Sequence, residues 1–259
     1  MATAQATVAG PGVTDRRILG LLTPSGLAMS AIVLGAFVLL FYRWFMFQHR
    51  HSSRALEDWG HAYIIPLISV YLLRLKQDEL SRLTPRAFWP GLVPMLLGIM
   101  SYFACVVLVK NHMLQGFSIV LTLYGTMLLL LGPAMMRVMF VPVAYLVFGI
   151  TLSEAIMNNI TFRMQLIASQ MSEVSLSMLA PLMGFSVQGS GNSISIITAE
   201  GAEYPLTIAE ACAGLRMLIA FLALGVAVAL VACRHWWQRI GLILLAVPVS
   251  LLMNAVRVT

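Results

Sequence analysis

Asn111-His-Met-Leu-Gln-Gly-Phe-Ser-Ile-Val-Leu-Thr-Leu-Tyr-Gly-Thr-Met-Leu-Leu-Leu-Leu-Gly-Pro-Ala-Met-Met136 lies between Lys110 and Arg137 and holds no Asp, Glu, Lys or Arg. A hydrocarbon core of about 30 Å is crossed by roughly 20 helical residues. Together with the apolar residues that follow Arg137, this stretch is too long for one crossing. Gly132-Pro133 is the natural break. The reading is therefore two membrane helices, 114–131 and 134–153, the second short enough to tilt or lie partly in the interface.

Outward from that stretch, further uncharged runs predict helices at about 27–47, 60–75, 88–109, 208–232 and 239–257. The fold class is an all-α polytopic membrane protein with about seven transmembrane helices. Composition agrees: 60% of the 259 residues are hydrophobic and only 10% charged, where a soluble chain carries about 25%. Mean hydropathy is +0.90. The formal charge of +6 does not point to nucleic acid, because the bases sit in short clusters between apolar runs. Three cysteines without a Cys-x-x-Cys pair give no disulfide framework, and no His/Asp/Glu set has the spacing of a metal site. No cofactor is implied.

Arg16 and Arg17 precede the first apolar run, and no small-residue cleavage pattern follows it. Residues 1–26 read as a cytoplasmic tail and 27–47 as a retained signal anchor. With the N-terminus inside, the inner segments hold Arg16, Arg17, Arg74, Lys76, Arg82, Arg86, Arg137, Arg234 and Arg239. The outer ones hold Arg50, Arg54, Lys110 and Arg163. That excess places the start of the sixth helix and the end of the seventh on the outer side.

Residues 153–207 do not span. Ile160, Met164, Ile167, Met171, Val174, Met178 and Leu182 follow one another at spacings of four or three. The stripe is that of an amphipathic helix, lying on the outer leaflet or packed in an extracytoplasmic cap. Gly-rich and acidic segments then bracket Ser193–Thr198, the pattern of a small β-hairpin.

Chemistry concentrates where the last two helices meet the outer side: Glu210-Ala-Cys212-Ala-Gly214-Leu-Arg216, and Asn254-Ala-Val-Arg257. Charge at such depth is costly and usually faces a partner or a cavity. Cys212 and Arg216 share a helix face, as do Asn254 and Arg257. Two antiparallel helices joined by a short turn would bring Cys212 and Arg257 to one depth. A helix N-terminus and cationic neighbours lower a thiol's pKa, and a guanidinium can hold an oxyanion. A buried small residue is the plainer reading of a lone membrane cysteine, and Cys105 and Cys233 take it. Glu210 either favours the helix start by its charge or orients Arg216 or Arg257. Arg216 either supports catalysis or simply pairs with Glu210. His61 reads as a base or as an interfacial, substrate-contacting group beside Trp59. His112 falls in an outer loop.

These motifs resemble the exosortase/archaeosortase family. Glu-Ala-Cys-Ala-Gly-Leu-Arg opens a hydrophobic helix, a basic turn follows, and Asn-Ala-Val-Arg-Val-Thr closes the chain. Asp58-Trp-Gly-His61 is similar to the family's early Trp-Ser-His motif, and the resemblance covers most of residues 55–259. It implies a cysteine peptidase or transpeptidase of the bacterial inner membrane with its active site on the extracytoplasmic side. Cys212 would be the nucleophile and Arg257 the essential arginine. Partners would be exported proteins with a C-terminal tripartite sorting signal (such as Pro-Glu-Pro, a hydrophobic helix and a basic tail), the bilayer itself, and a polysaccharide or lipid-linked acceptor. Ala213 stands where the family has Ser. The family's catalytic His lies on a further helix beyond residue 259, so the chain reads as C-terminally truncated. A noncatalytic or transport component of exopolysaccharide export is the alternative from another class.

Overall fold

Polar backbone groups cannot be left unpaired in hydrocarbon, so apolar runs of this length fold as helices. The structure, a computed structural model, describes residues 24–153, 169–178, 185–190, 193–198, 202–207 and 214–258, with isolated positions 156, 159, 163 and 180. Its helices are α1 (Pro24–Leu40), α2 (Tyr42–Arg54), α3 (Leu56–Trp59), α4 (His61–Leu75), α5 (Gln77–Ser81), α6 (Leu92–Ala104), α7 (His112–Tyr145), α8 (Gly214–Ala232) and α9 (Trp236–Val258). Trp89–Val109 and His112–Gly149 are long and apolar enough to cross a membrane, and α1 with α2 adds a third candidate if the bent pair counts as one. α4, α8 and α9 contribute shorter apolar helices.

The first expected helix does not run straight through 27–47. It bends by 70° between Leu40 and Tyr42 and continues to Arg54. The cause is Phe41, fully buried and held edge-on by Phe37 and Tyr102 at 4.9 and 4.8 Å between ring centroids. Beyond the bend, Trp44 donates from its indole to the His112 carbonyl at 3.0 Å, which ties α2 to the start of α7.

α7 is two helices around a reversal. Gly132 has φ 84° and ψ 171°, outside the helical region, and a Cβ there would stand 2.6 Å from the Arg86 carbonyl oxygen. The arms 112–131 and 133–145 fold against each other. Tyr124 and Phe140 rings lie 6.1 Å apart, whereas a straight helix would separate them by roughly 24 Å. Met136, Met139 and Val143 pack with Leu123, Tyr124 and Leu128. The Gly132-Pro133 break read from the sequence is thus a tight hairpin apex. α6 lies along the first arm at close range, where glycines at 91, 98 and 125 leave no room for side chains.

The strands form a meander, not the single hairpin expected: β1 (Phe185–Ser190), β2 (Ser193–Thr198) and β3 (Glu203–Thr207), antiparallel in the order β1-β2-β3. The third strand escaped the sequence reading because Pro205 interrupts it. Proline has no N–H to give a ladder, and an edge strand such as β3 tolerates it.

The interior is apolar with hydroxyls among the helices, and the exterior is apolar as well, unlike that of a soluble protein. The buried polar side chains among the described residues are all Ser or Thr, including Ser69, Thr122 and Ser250. Leu39, Leu67, Leu108 and Leu244 are exposed. In the helical segment 169–178, Ser169 and Ser172 face inward while Met171, Val174 and Met178 are exposed. Met171, Val174 and Met178 of the expected apolar stripe are thus exposed, and Ile160, Met164, Ile167 and Leu182 lie outside the described residues.

Candidate active site

α8 is held at three places. Ala223 and Ala227 pack with Ile65, Leu72 and Tyr145, and the Tyr145 hydroxyl donates to the Ala223 carbonyl at 3.0 Å. On another side, Gly225 meets α9: a Cβ on Gly225 would stand 3.3 Å from that of Ala246. Small residues at such a seam let two helices approach closely where lipid supplies no hydrophobic drive.

That contact sets the register of the antiparallel pair. Gly214 and Arg257 are each eleven residues from it, roughly 16 Å along either helix. The backbones of Arg216, Asn254 and Arg257 consequently fall in one layer, beside the start of α8. Glu210 and Cys212 lie outside the described residues, as do the side chains of Arg216, Asn254 and Arg257.

His61 belongs to the same end. α4 packs along α8 through Ile65 and Ala223 near one end, and Leu72, Leu75 and Leu230 line one pocket near the other. The two helices therefore run parallel, and His61, at the start of α4, lies about a turn and a half of α8 from Gly214. α3 also touches α8. Trp59 is buried, its ring centroid 5.8 Å from that of His61 and 6.1 Å from that of His51. Between α3 and α4, a Cβ on Gly60 would stand 2.6 Å from the Leu56 carbonyl oxygen, so the Trp-Gly-His sequence needs its glycine.

His112 is not in a loop. It opens α7 directly after Asn111, whose side chain caps the helix by accepting from the Leu114 amide at 3.2 Å. Its Nε2 lies 2.8 Å from Gln48 Oε1, and its ring stacks on Trp44 at 4.9 Å. The Thr151 hydroxyl donates to the same Gln48 oxygen at 3.0 Å, and Gln48 Nε2 donates to the Gly149 carbonyl at 3.1 Å. With Oε1 an acceptor, Nε2 of His112 must carry the proton. Gln48 gave no signal in the sequence, because a single Gln in an aromatic, basic helix end has no periodicity or motif around it.

Cys105 and Cys233 are half-buried free thiols, at the end of α6 and the end of α8 respectively. Among the described residues no three His, Cys, Asp or Glu side chains gather as a metal site.

The basic residues separate into two groups along the bundle. Arg74, Lys76, Arg82, Arg86, Arg137, Arg234 and Arg239 lie with the α7 apex and the α8–α9 turn; Arg43, Arg50, Arg54 and Lys110 lie at the opposite end, with the backbones of Arg216 and Arg257.

Long apolar helices, hydroxyl-lined contacts between them and an apolar exterior define a multispanning membrane protein. Residues 52–259 match the family model described as transmembrane exosortase, and the chain belongs to that family. No curated protein and no solved structure matches it.

Proposed function

We propose that the chain is a membrane-embedded cysteine peptidase or transpeptidase acting on C-terminal sorting signals of exported proteins. In this reading seven helices span the bacterial inner membrane, α7 supplying two of them. The end where α8 starts and α9 finishes faces the extracytoplasmic side, since the excess of Lys and Arg in the connecting segments belongs to the other side.

Cys212 is the nucleophile. It stands two residues before α8, where the helix dipole and nearby guanidinium groups favour thiolate. The thiol gives its proton to a neighbouring base, and the sulfur attacks the scissile carbonyl. Arg257 holds the resulting oxyanion with its planar fork of donors. Collapse expels the C-terminal fragment as an amine, which takes up a proton, and leaves a thioester on Cys212. Attack on that thioester by an acceptor amine or by water releases the processed protein and restores the thiol. Arg216, Asn254 and Glu210 orient Arg257, and His61 contacts the incoming signal beside Trp59.

The observation that carries this reading is the Gly225–Ala246 contact, since it brings the Arg257 backbone level with the helix start that Cys212 precedes. The test is processing of a tailed substrate by cells expressing Cys212→Ala or Cys212→Ser. Processing should fall by about 10³-fold or more while insertion is unchanged. Cleavage at the parent rate by an inserted Cys212→Ala would reject the enzyme and leave a transport or scaffolding role.

A further inference from the structure

The end of the bundle opposite the Cys212 motif carries a pocket of ≈ 310 Å³. Three bases from distant parts of the chain line it: Lys76 after α4, Arg137 on the second arm of α7, and Arg239 in the first turn of α9. Lys76 is already paired with Glu79 at 3.1 Å. Arg239 spends its Nε on the Cys233 carbonyl at 3.1 Å, which fixes the guanidinium and leaves its terminal nitrogens to donate. Net charge in the pocket is therefore positive, supplied by Arg137 and Arg239. The α9 N-terminus adds partial positive charge beside it.

The remaining wall is apolar and includes Leu75 and Leu230. Leu75 is also half-exposed, which puts an apolar side chain at the open margin of the pocket. Trp236 and Trp237, 74% and 60% exposed, stand at the same level. Paired exposed tryptophans mark the headgroup layer of a bilayer. A concavity that is cationic on one side, apolar on the other and set at headgroup depth matches an anionic amphiphile better than a soluble ion.

We propose that this pocket binds an anionic phospholipid, its phosphodiester between Arg137 and Arg239 and its acyl chain along Leu75. The proposal is independent of the peptidase chemistry, since none of its residues lies in the Cys212–Arg257 layer. It also holds whichever compartment this end faces.

The test uses the full chain in phosphatidylcholine vesicles, titrated with dibrominated phosphatidylglycerol and, separately, with dibrominated phosphatidylcholine, reading tryptophan quenching. Phosphatidylglycerol should bind selectively. Arg137→Gln with Arg239→Gln should weaken it by about 30-fold, from roughly 1 kcal/mol per basic residue at about 1.4 kcal/mol per tenfold. Each single variant should lose about fivefold, which keeps the test open if the double variant does not insert. Arg74→Gln with Arg82→Gln removes two exposed bases from the same end without touching the pocket and should cost much less. Equal losses in that control would overturn the proposal in favour of diffuse charge. So would selectivity that persists in the inserted Arg137 and Arg239 variants. Displacement of the lipid by millimolar inorganic phosphate would overturn it in favour of a soluble anion.

Discussion

Gly225 and Ala246 lie so close that a methyl group on the glycine would stand 3.3 Å from the alanine Cβ. The contact fixes how α8 and α9 slide against each other. Gly225→Leu should wedge them apart and lower substrate processing by at least about tenfold, with insertion preserved. Exchanging the two residues, Gly225→Ala with Ala246→Gly, keeps the total volume and should restore most of the activity. Processing assays on the three variants check this, and an unaffected Gly225→Leu would remove the seam as the site's ruler.

In the proposed reaction Arg257 presents two parallel donors to an oxyanion. An ammonium can supply charge but not that fork. Arg257→Lys should therefore lose about 10²-fold or more in turnover, close to the loss in Arg257→Gln. Single-turnover cleavage measures it, and near-parental rates in the Lys variant would argue that Arg257 only contributes charge.

His61 lies toward the end of the bundle where α8 starts, beside buried Trp59. As a group that contacts the sorting signal, its replacement by Gln should raise KM with kcat changed less than about threefold. A collapse of kcat at constant KM would make it the base instead.

Gly132 adopts a backbone conformation that side-chain-bearing residues rarely reach, with the Arg86 carbonyl against the empty Cβ position. Gly132→Ala should destabilise the fold by about 3 kcal/mol, from backbone strain and the clash together. Unfolding of detergent-solubilised protein by a denaturing detergent would read the loss directly.

Gln48 joins α2 to His112, Gly149 and Thr151 through a single amide. Gln48→Leu strands several partners and should cost about 2 kcal/mol or more in the same unfolding assay. His112→Gln, which can still pair with residue 48, should cost less.

The sequence made the helices legible because their signal is length of uncharged chain, which the bilayer imposes directly. The Gly132-Pro133 break was readable too, since both residues interrupt helices for local reasons. The 70° bend at Phe41 was not: it depends on Phe37 and Tyr102 gripping one ring, and Tyr102 is distant in sequence. β3 hid behind Pro205, whose tolerance depends on an edge position that only pairing reveals. At the site, Cys212 and Arg257 stood out through cost, as polar groups at membrane depth. Their register was invisible, because it rests on two residues, Gly225 and Ala246, whose meaning is their smallness.

The inward serines and outward leucines mean that this molecule's native surroundings are part of its structure. Its helices meet through both apolar side chains and hydroxyls, so what distinguishes an outward face is the scarcity of charge and not a gain of it. In the segment at 169–178 the same sorting holds on the scale of one helix, with Ser169 and Ser172 buried and Met171, Val174 and Met178 turned out.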